Sequence, residues 1–119
     1  MRRLTALVAT LSVAVALLVF AAAVYGQSSG REFTIDGNHY SFLPSTIEVN
    51  RNDLVKITFT AKDIAHSFTI DDYRIAKRAG AGQTVTFEFL ADRPGTFTYY
   101  CNLSQDDGCK NMKGRLVVK

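Results

Sequence analysis

Two cysteines, one methionine and one histidine are the residues of this chain best suited to hold a metal. Cys101, Cys109 and Met112 lie within a single polar loop near the C-terminus. Their sulfur atoms are soft donors, which favour copper over hard cations. His66, much earlier in the sequence, offers an imidazole nitrogen as a fourth donor. These residue types predict a copper site, provided that the fold brings His66 to the loop.

The segments that must position these residues have the alternation of half-buried β-strands. Apolar residues occupy every second position in 55–61 and 85–89, with threonine, lysine and glutamate between them. Shorter runs of the same kind occur at 33–35, 47–49, 66–70, 97–101 and 116–118. Turn-forming residues separate the runs, and no segment after Gly30 keeps a helical period. We therefore predict an all-β domain, built as a two-sheet sandwich or a closed barrel.

The same alternation predicts where two of the candidate ligands point. His66 shares a strand face with Phe68, which we expect to be the core face, while Ser67 and Thr69 point away from it. Cys101 shares a face with Tyr99 in the same manner. An inward imidazole and an inward thiol at strand ends can meet at one end of the sandwich.

The first 26 residues are predicted to be separate from the folded domain. Arg2 and Arg3 precede an uncharged, mostly apolar stretch over 4–25, which is typical of an export signal. This stretch is also long enough to span a bilayer as a helix of about 20 residues. We predict a hydrophobic signal or N-terminal membrane anchor helix over 1–26, a linker over 27–31 and one domain over 32–119. The domain is then periplasmic or extracellular, and it is held at the cytoplasmic membrane if 4–25 is retained.

Charge and motif content exclude several function classes. The chain has 14 basic and 11 acidic residues, and its basic residues do not cluster, so nucleic acid is not expected as a partner. No Ser-His-Asp arrangement, phosphate-binding glycine loop or isolated carboxylate pair indicates an enzyme, and we name no catalytic residue. His39 lies in a turn-like segment and is predicted to be a solvated surface residue. We expect a monomer.

The order of the motifs resembles that of a cupredoxin. The resemblance covers about Phe33 to Val118 and is carried by six short runs: Phe42-Leu43-Pro44, Ile47-Glu48-Val49, His66-Ser67-Phe68, Pro94-Gly95-Thr96-Phe97, Tyr100-Cys101 and Met112-Lys113-Gly114. It implies a Greek-key β-sandwich that holds copper through an upstream histidine and through a cysteine, a histidine and a methionine of the final loop. Carried over residue by residue, the upstream histidine falls on His66, the cysteine on Cys101 and the methionine on Met112.

The final loop departs from the family pattern at two positions. Its length is most similar to the dinuclear-copper domain of cytochrome c oxidase subunit II, but Gln105 stands where that domain has its second cysteine. Cys109 stands where it has the loop histidine. The resemblance therefore implies one mononuclear copper ion, with His66, Cys101, Cys109 and Met112 as the donor set.

Three functions are compatible with this donor set. The first is one-electron transfer to a redox partner protein, and the second is copper carriage or storage between a donor and an acceptor protein. The third is a metal-free module of cupredoxin shape, closed by a disulfide between Cys101 and Cys109. Disulfides persist in exported proteins, and Asp106-Asp107-Gly108 supplies a turn between the two cysteines.

Overall fold

Two β-sheets packed face to face make up the part of the chain that the computed structural model describes, residues 29–119. The first sheet has the strand order β2-β1-β4-β7 and the second β3-β9-β8-β5-β6. The strands are β1 (Gly30–Asn38), β2 (Ser41–Leu43), β3 (Thr46–Val49), β4 (Leu54–Ala61), β5 (His66–Ile70), β6 (Ile75–Ala79), β7 (Thr84–Leu90), β8 (Gly95–Tyr100) and β9 (Lys113–Val118). This architecture confirms the predicted all-β sandwich.

Strand β1 runs from Gly30 at one end of the sandwich to a tight turn at His39 and Tyr40 at the other end. Both turn residues have left-handed φ values, 50° and 57° respectively. The connection between β8 and β9, residues 101–112, lies at the same end, because Tyr40 contacts Asp106 and Gly37 lies beside Met112. We call this end of the sandwich the loop pole.

The core is centred on the ring of Phe68, in β5. Its centroid lies 4.7 Å from that of Tyr99 in the same sheet, and 5.8 Å and 5.5 Å from those of Phe59 and Phe87 in the opposite sheet. Phe68, Tyr99 and Phe59 are completely buried. Since aromatic side chains bury large apolar areas, this cluster joins the two sheets directly below His66 in β5.

Strand β5 differs from its predicted pattern, because all five of its residues are buried. Ser67 and Thr69 were expected to face solvent, yet they are only 1% and 3% exposed. β5 lies between β8 and β6, and the Ser67 hydroxyl is hydrogen-bonded to the Asn102 side chain at 2.7 Å. The polar face of β5 is therefore covered by protein rather than by water.

Three element predictions need correction or lie outside the described residues. The short strands β2 and β6 were not predicted, and β1 begins at Gly30, inside the predicted linker 27–31. The helical elements among residues 29–119 are two short 3-10 turns, Asp71–Tyr73 and Asp107–Asn111. The predicted signal or anchor helix over 1–26 lies outside the described residues.

Within residues 29–119, no helix combines the length and the apolar character needed to cross a bilayer.

Truncation of the aromatic centre should destabilise the whole sandwich. We expect Phe68→Ala to lower the free energy of unfolding by about 3–5 kcal/mol, because it removes a fully buried ring that contacts both sheets. Leu43→Ala is the matched control, since Leu43 is 72% exposed and its truncation should cost no more than about 0.5 kcal/mol. Guanidinium chloride unfolding measures both, and equal losses would contradict this account of the core.

Candidate metal centre

His66 is the first residue of β5 and is completely buried at the loop pole. Its Nε2 lies 2.7 Å from Oδ1 of Asp63. Its Nδ1 is buried and has no hydrogen-bond partner among residues 29–119. A buried polar atom without a partner is costly, and such atoms recur where a metal or other ligand binds. When Nε2 donates its proton to Asp63, Nδ1 carries the lone pair that a metal needs.

Asp63 fixes the His66 ring and ties it to the β1–β2 turn. Its second oxygen, Oδ2, accepts a hydrogen bond from the His39 backbone N–H at 3.0 Å. The side-chain hydrogen bond to His66, together with the backbone N–H groups of Ile64 and His39, holds the pKa of the Asp63 carboxyl well below its usual range. The carboxylate therefore stays ionised near neutral pH and orients one ring nitrogen of His66.

Cys101 and Cys109 are joined by a disulfide, with their Cα atoms 5.1 Å apart. Each sulfur also accepts a backbone hydrogen bond: Cys101 Sγ from Ser67 at 3.4 Å, and Cys109 Sγ from Leu103 at 3.1 Å. The first of these bonds places Cys101 beside the start of β5, because Ser67 directly follows His66. Both cysteines are buried, at 3% and 1% exposure.

Met112 closes the loop immediately before β9 and is completely buried. Its backbone N–H donates to the Cys109 carbonyl at 3.1 Å, and its own carbonyl accepts from the Cys101 N–H at 3.2 Å. Its Cε packs against Gly37, where an added Cβ would lie only 3.1 Å away. Gly37 thus leaves the space that the methionine side chain occupies.

Tyr40 is part of the β1–β2 turn, and its side chain extends across the loop pole. Its ring meets that of His66 edge-on, with 6.0 Å between the centroids, and its hydroxyl donates to Asp106 Oδ2 at 3.2 Å. This hydrogen bond raises the pKa of Tyr40, so the hydroxyl keeps its proton. The ring also packs against Gly108, where an added Cβ would lie 2.5 Å from Tyr40 Cε1. Tyr40 therefore contacts both the histidine and the loop that carries Cys109.

A surface cleft of about 520 Å³ opens beside the cysteine loop. It includes both polar and apolar side chains, and the residues that line it include Ile64, Ala65, Arg78, Asn102, Leu103 and Asp106. Leu103 is the residue whose N–H donates to Cys109 Sγ. The cleft therefore reaches the backbone that holds the buried sulfur.

The structure brings the four predicted ligand residues to one pole but changes the state of two of them. The disulfide consumes the thiols of Cys101 and Cys109, so the two-thiolate donor set is not present in this form. Among residues 29–119, no group of three or more His, Cys, Asp or Glu side chains is arranged to hold a metal. The His66 Nδ1, which has no hydrogen-bond partner between residues 29 and 119, would fit copper in a form with free thiols. The ligand assignment stays a prediction for that dithiol form.

His39 has the exposure that the sequence indicated, yet its backbone has a role that was not predicted. Its N–H is one of the groups that hydrogen-bond to the Asp63 carboxylate. Asp63 and Tyr40 were both missed, because their contacts to His66 depend on chain packing. The one local signal was the placement of Asp63 three residues before His66.

The family profile of the cupredoxin-like domain matches residues 8–118, and the chain belongs to this family. A curated relative, nitrous-oxide reductase from Stutzerimonas stutzeri, is 29% identical over 75 residues. The match takes in 60% of this chain but only 12% of that enzyme. The chain therefore corresponds to a small part of that relative.

Solved structures of similar fold include two copper proteins. The metal-binding domain of the Cu(I)-exporting P-type ATPase of Streptococcus pneumoniae, determined with Cu(I), superposes with a TM-score of 0.66 at 17% identity, over 78% of this chain and 89% of that one. Auracyanin A, a blue copper protein from Chloroflexus aurantiacus, superposes with a TM-score of 0.64 at 18% identity, over 76% of this chain and all of that one. At these identities the likeness establishes the fold, which agrees with the predicted cupredoxin-like sandwich.

The ionised Asp63 should make the domain lose stability in acid. Its carboxyl has a lower pKa in the folded chain than the ordinary value of about 3.9, so the unfolded chain takes up the proton first as the pH falls. The stabilisation is therefore complete above about pH 5 and declines progressively below about pH 4. We expect the unfolding midpoint of Asp63→Asn to fall less steeply than that of the wild type between pH 5 and pH 2. If the midpoints of the two proteins fell in parallel with pH, this role of the Asp63 carboxylate would be contradicted.

Reduction of the disulfide should weaken the fold without abolishing it. The bridge closes a loop with a sequence separation of eight, for which chain entropy predicts a stabilisation of about 2–3 kcal/mol. We expect a dithiol reductant to lower the free energy of unfolding by that amount in metal-free protein. The double variant Cys101→Ser/Cys109→Ser is the control, because its stability should not respond to the reductant.

Proposed function

We propose that this chain is an exported cupredoxin that binds one copper ion in its dithiol form and transfers single electrons. The observation that carries the proposal is the buried Nδ1 of His66, which has no hydrogen-bond partner in the described part of the chain and lies next to the cysteine loop. His66, Cys101, Cys109 and Met112 would hold the ion. Copper bound there would supply a one-electron redox couple.

The rigidity of the surroundings supports electron transfer. The four ligand residues are at most 3% exposed, and His66 is held by Asp63 at 2.7 Å. Met112 is fixed between Cys109 and Cys101 by backbone hydrogen bonds. Ligands that are held before the ion binds, as His66 and Met112 are, need little rearrangement between two oxidation states, which suits electron transfer. The copper proteins among the similar structures add support from the same fold.

Copper carriage or storage is the second candidate, and the nature of the sulfur donors favours it. Two thiolates and a thioether suit copper(I), which is also the ion named for the similar ATPase domain. Burial of the ligands opposes it, because handing an ion to another protein requires at least one ligand to be reached. A reversible midpoint potential of the copper-loaded protein distinguishes the two uses.

The metal-free module is the third candidate, and the disulfide itself favours it. If the two sulfurs never part, His66 and Met112 alone make a weak site. This candidate predicts that the isolated protein has no free thiols and takes up no copper after mild reduction.

The proposed location of the domain follows from the predicted leader, and its partner follows from the proposed use of copper. We propose that the domain lies outside the cytoplasm, is monomeric, and is held at the membrane if 4–25 is retained. Its partner is a redox protein for electron transfer, or a copper donor or acceptor for carriage. We propose no catalytic activity for the chain itself.

Copper stoichiometry of ligand variants tests the proposed site. The full chain, purified with reductant under anaerobic conditions, should bind about one copper(I) per chain. His66→Ala and Cys109→Ser should each lower the affinity by at least about tenfold, because each loses a donor. His39→Asn is the matched control: it changes the other histidine, keeps the backbone N–H that Asp63 binds, and suits a left-handed φ.

Equal copper retention in His66→Ala, Cys109→Ser and the control would remove the site assignment. Loss of copper in the two ligand variants without a reversible midpoint in the wild type would select carriage over electron transfer. Circular dichroism of each variant verifies that the sandwich is intact.

A further inference from the structure

We propose that the Cys101–Cys109 disulfide is a two-electron gate on the copper site, opened by an extracytoplasmic dithiol reductant. The inference rests on the proposed function and adds its regulation. The same two sulfur atoms serve either the disulfide or the metal, and they cannot serve both. The oxidised chain is thus closed to copper, and the reduced chain is open.

The gating step is thiol–disulfide exchange. A thiolate of the reductant attacks one sulfur of the Cys101–Cys109 bond, forming a mixed disulfide and releasing the other sulfur as a thiolate. The second thiol of the reductant then attacks the mixed disulfide and releases the remaining cysteine as a thiolate. The reductant departs as an intramolecular disulfide. The chain gains two electrons and two protons, and the reductant loses the same number. The protons leave the two thiols when copper(I) binds.

The backbone around the sulfurs suits both states. Ser67 N–H reaches Cys101 Sγ from β5, and Leu103 N–H reaches Cys109 Sγ from the loop, so each sulfur has its own fixed donor. Such donors also stabilise the negative charge of a thiolate. Two thiolates on one ion need to be only about 4 Å apart, given metal–sulfur bonds of about 2.3 Å. With the Cα atoms 5.1 Å apart, opening therefore requires little more than a turn of two side chains.

The gate is chemically distinct from the one-electron use of copper. Closing the disulfide releases two electrons, whereas one copper(II) ion accepts a single electron. A single bound ion therefore cannot close the pair by itself. One-electron cycling can proceed in the open form without closing it, and closure requires a two-electron oxidant such as a partner disulfide.

Tyr40 covers the gate. The cysteines are at most 3% exposed, while the Tyr40 ring lies on Gly108, next to Cys109, and its hydroxyl is bonded to Asp106. The tyrosine itself is 41% exposed and lies over the loop segment that leads into Cys109. Its displacement should limit the rate at which the disulfide is reduced.

Copper(I) binding by the full chain in two thiol states tests the gate. The chain is prepared oxidised, and separately reduced with dithiothreitol and freed of it under anaerobic conditions; free thiols are counted in both. Copper(I) is offered from its bicinchoninate complex. We expect the reduced chain to bind one ion at least about 100-fold more tightly than the oxidised chain. Cys109→Ser is the control, since its affinity should not depend on dithiothreitol.

Reciprocity supplies a readout apart from copper uptake. A 100-fold preference of copper(I) for the reduced chain must raise the midpoint potential of the cysteine pair by about 59 mV at saturation, since tenfold corresponds to 29.6 mV for two electrons. Equal binding by both thiol states would overturn the gate and the two cysteine ligands, but would leave copper binding by the chain standing. No binding by the reduced chain would overturn the proposed function itself.

The cover is tested by the rate of reduction. Tyr40→Asn removes the ring and tolerates the left-handed φ, and Tyr40→Phe removes only the hydroxyl. We expect dithiothreitol to reduce Tyr40→Phe about fivefold faster than the wild type, because one hydrogen bond is lost, and Tyr40→Asn faster still. Unchanged rates in both variants would overturn the role of Tyr40 as the cover.

Discussion

The burial of strand β5 on both faces is the constraint on which the loop pole depends. His66 is the first residue of this strand, so its imidazole lies where water cannot solvate it. One ring nitrogen is satisfied by Asp63, and the other has no partner within residues 29–119. In a protein interior such an atom costs free energy unless a ligand compensates for it. The buried position of β5 is therefore the main reason to expect a metal at His66.

The loop between β8 and β9 contributes to the stability of the domain as well as to the proposed site. A domain of about ninety residues has a modest core, and a disulfide is a common way to stabilise one. Metal binding would use the same sulfur atoms and would also stabilise the folded state. In the proposed function, the disulfide and the metal would therefore compete for one pair of sulfur atoms. The backbone hydrogen bonds from Ser67 and Leu103 are compatible with either outcome.

Period-two alternation predicted much of the fold because most strands have one face on the core. It failed at Ser67 and Thr69, where the strand lies inside its sheet and its outer face is covered. It also missed β2 and β6, because β2 has only three residues and β6 is an edge strand with charged side chains. For the site, residue types indicated His66 and the sulfurs. Asp63 and Tyr40 could not be predicted, since their roles depend on which turn packs over which loop.

The direction of β1 has a consequence for how the protein would meet its partners. The strand enters at Gly30 and needs its full length, about 27 Å, to reach the turn that packs on the cysteine loop. Anything attached ahead of Gly30 therefore joins the domain at the end remote from His66. In the proposed membrane-anchored form, this direction would place the imidazole end on the side of the domain away from its attachment point.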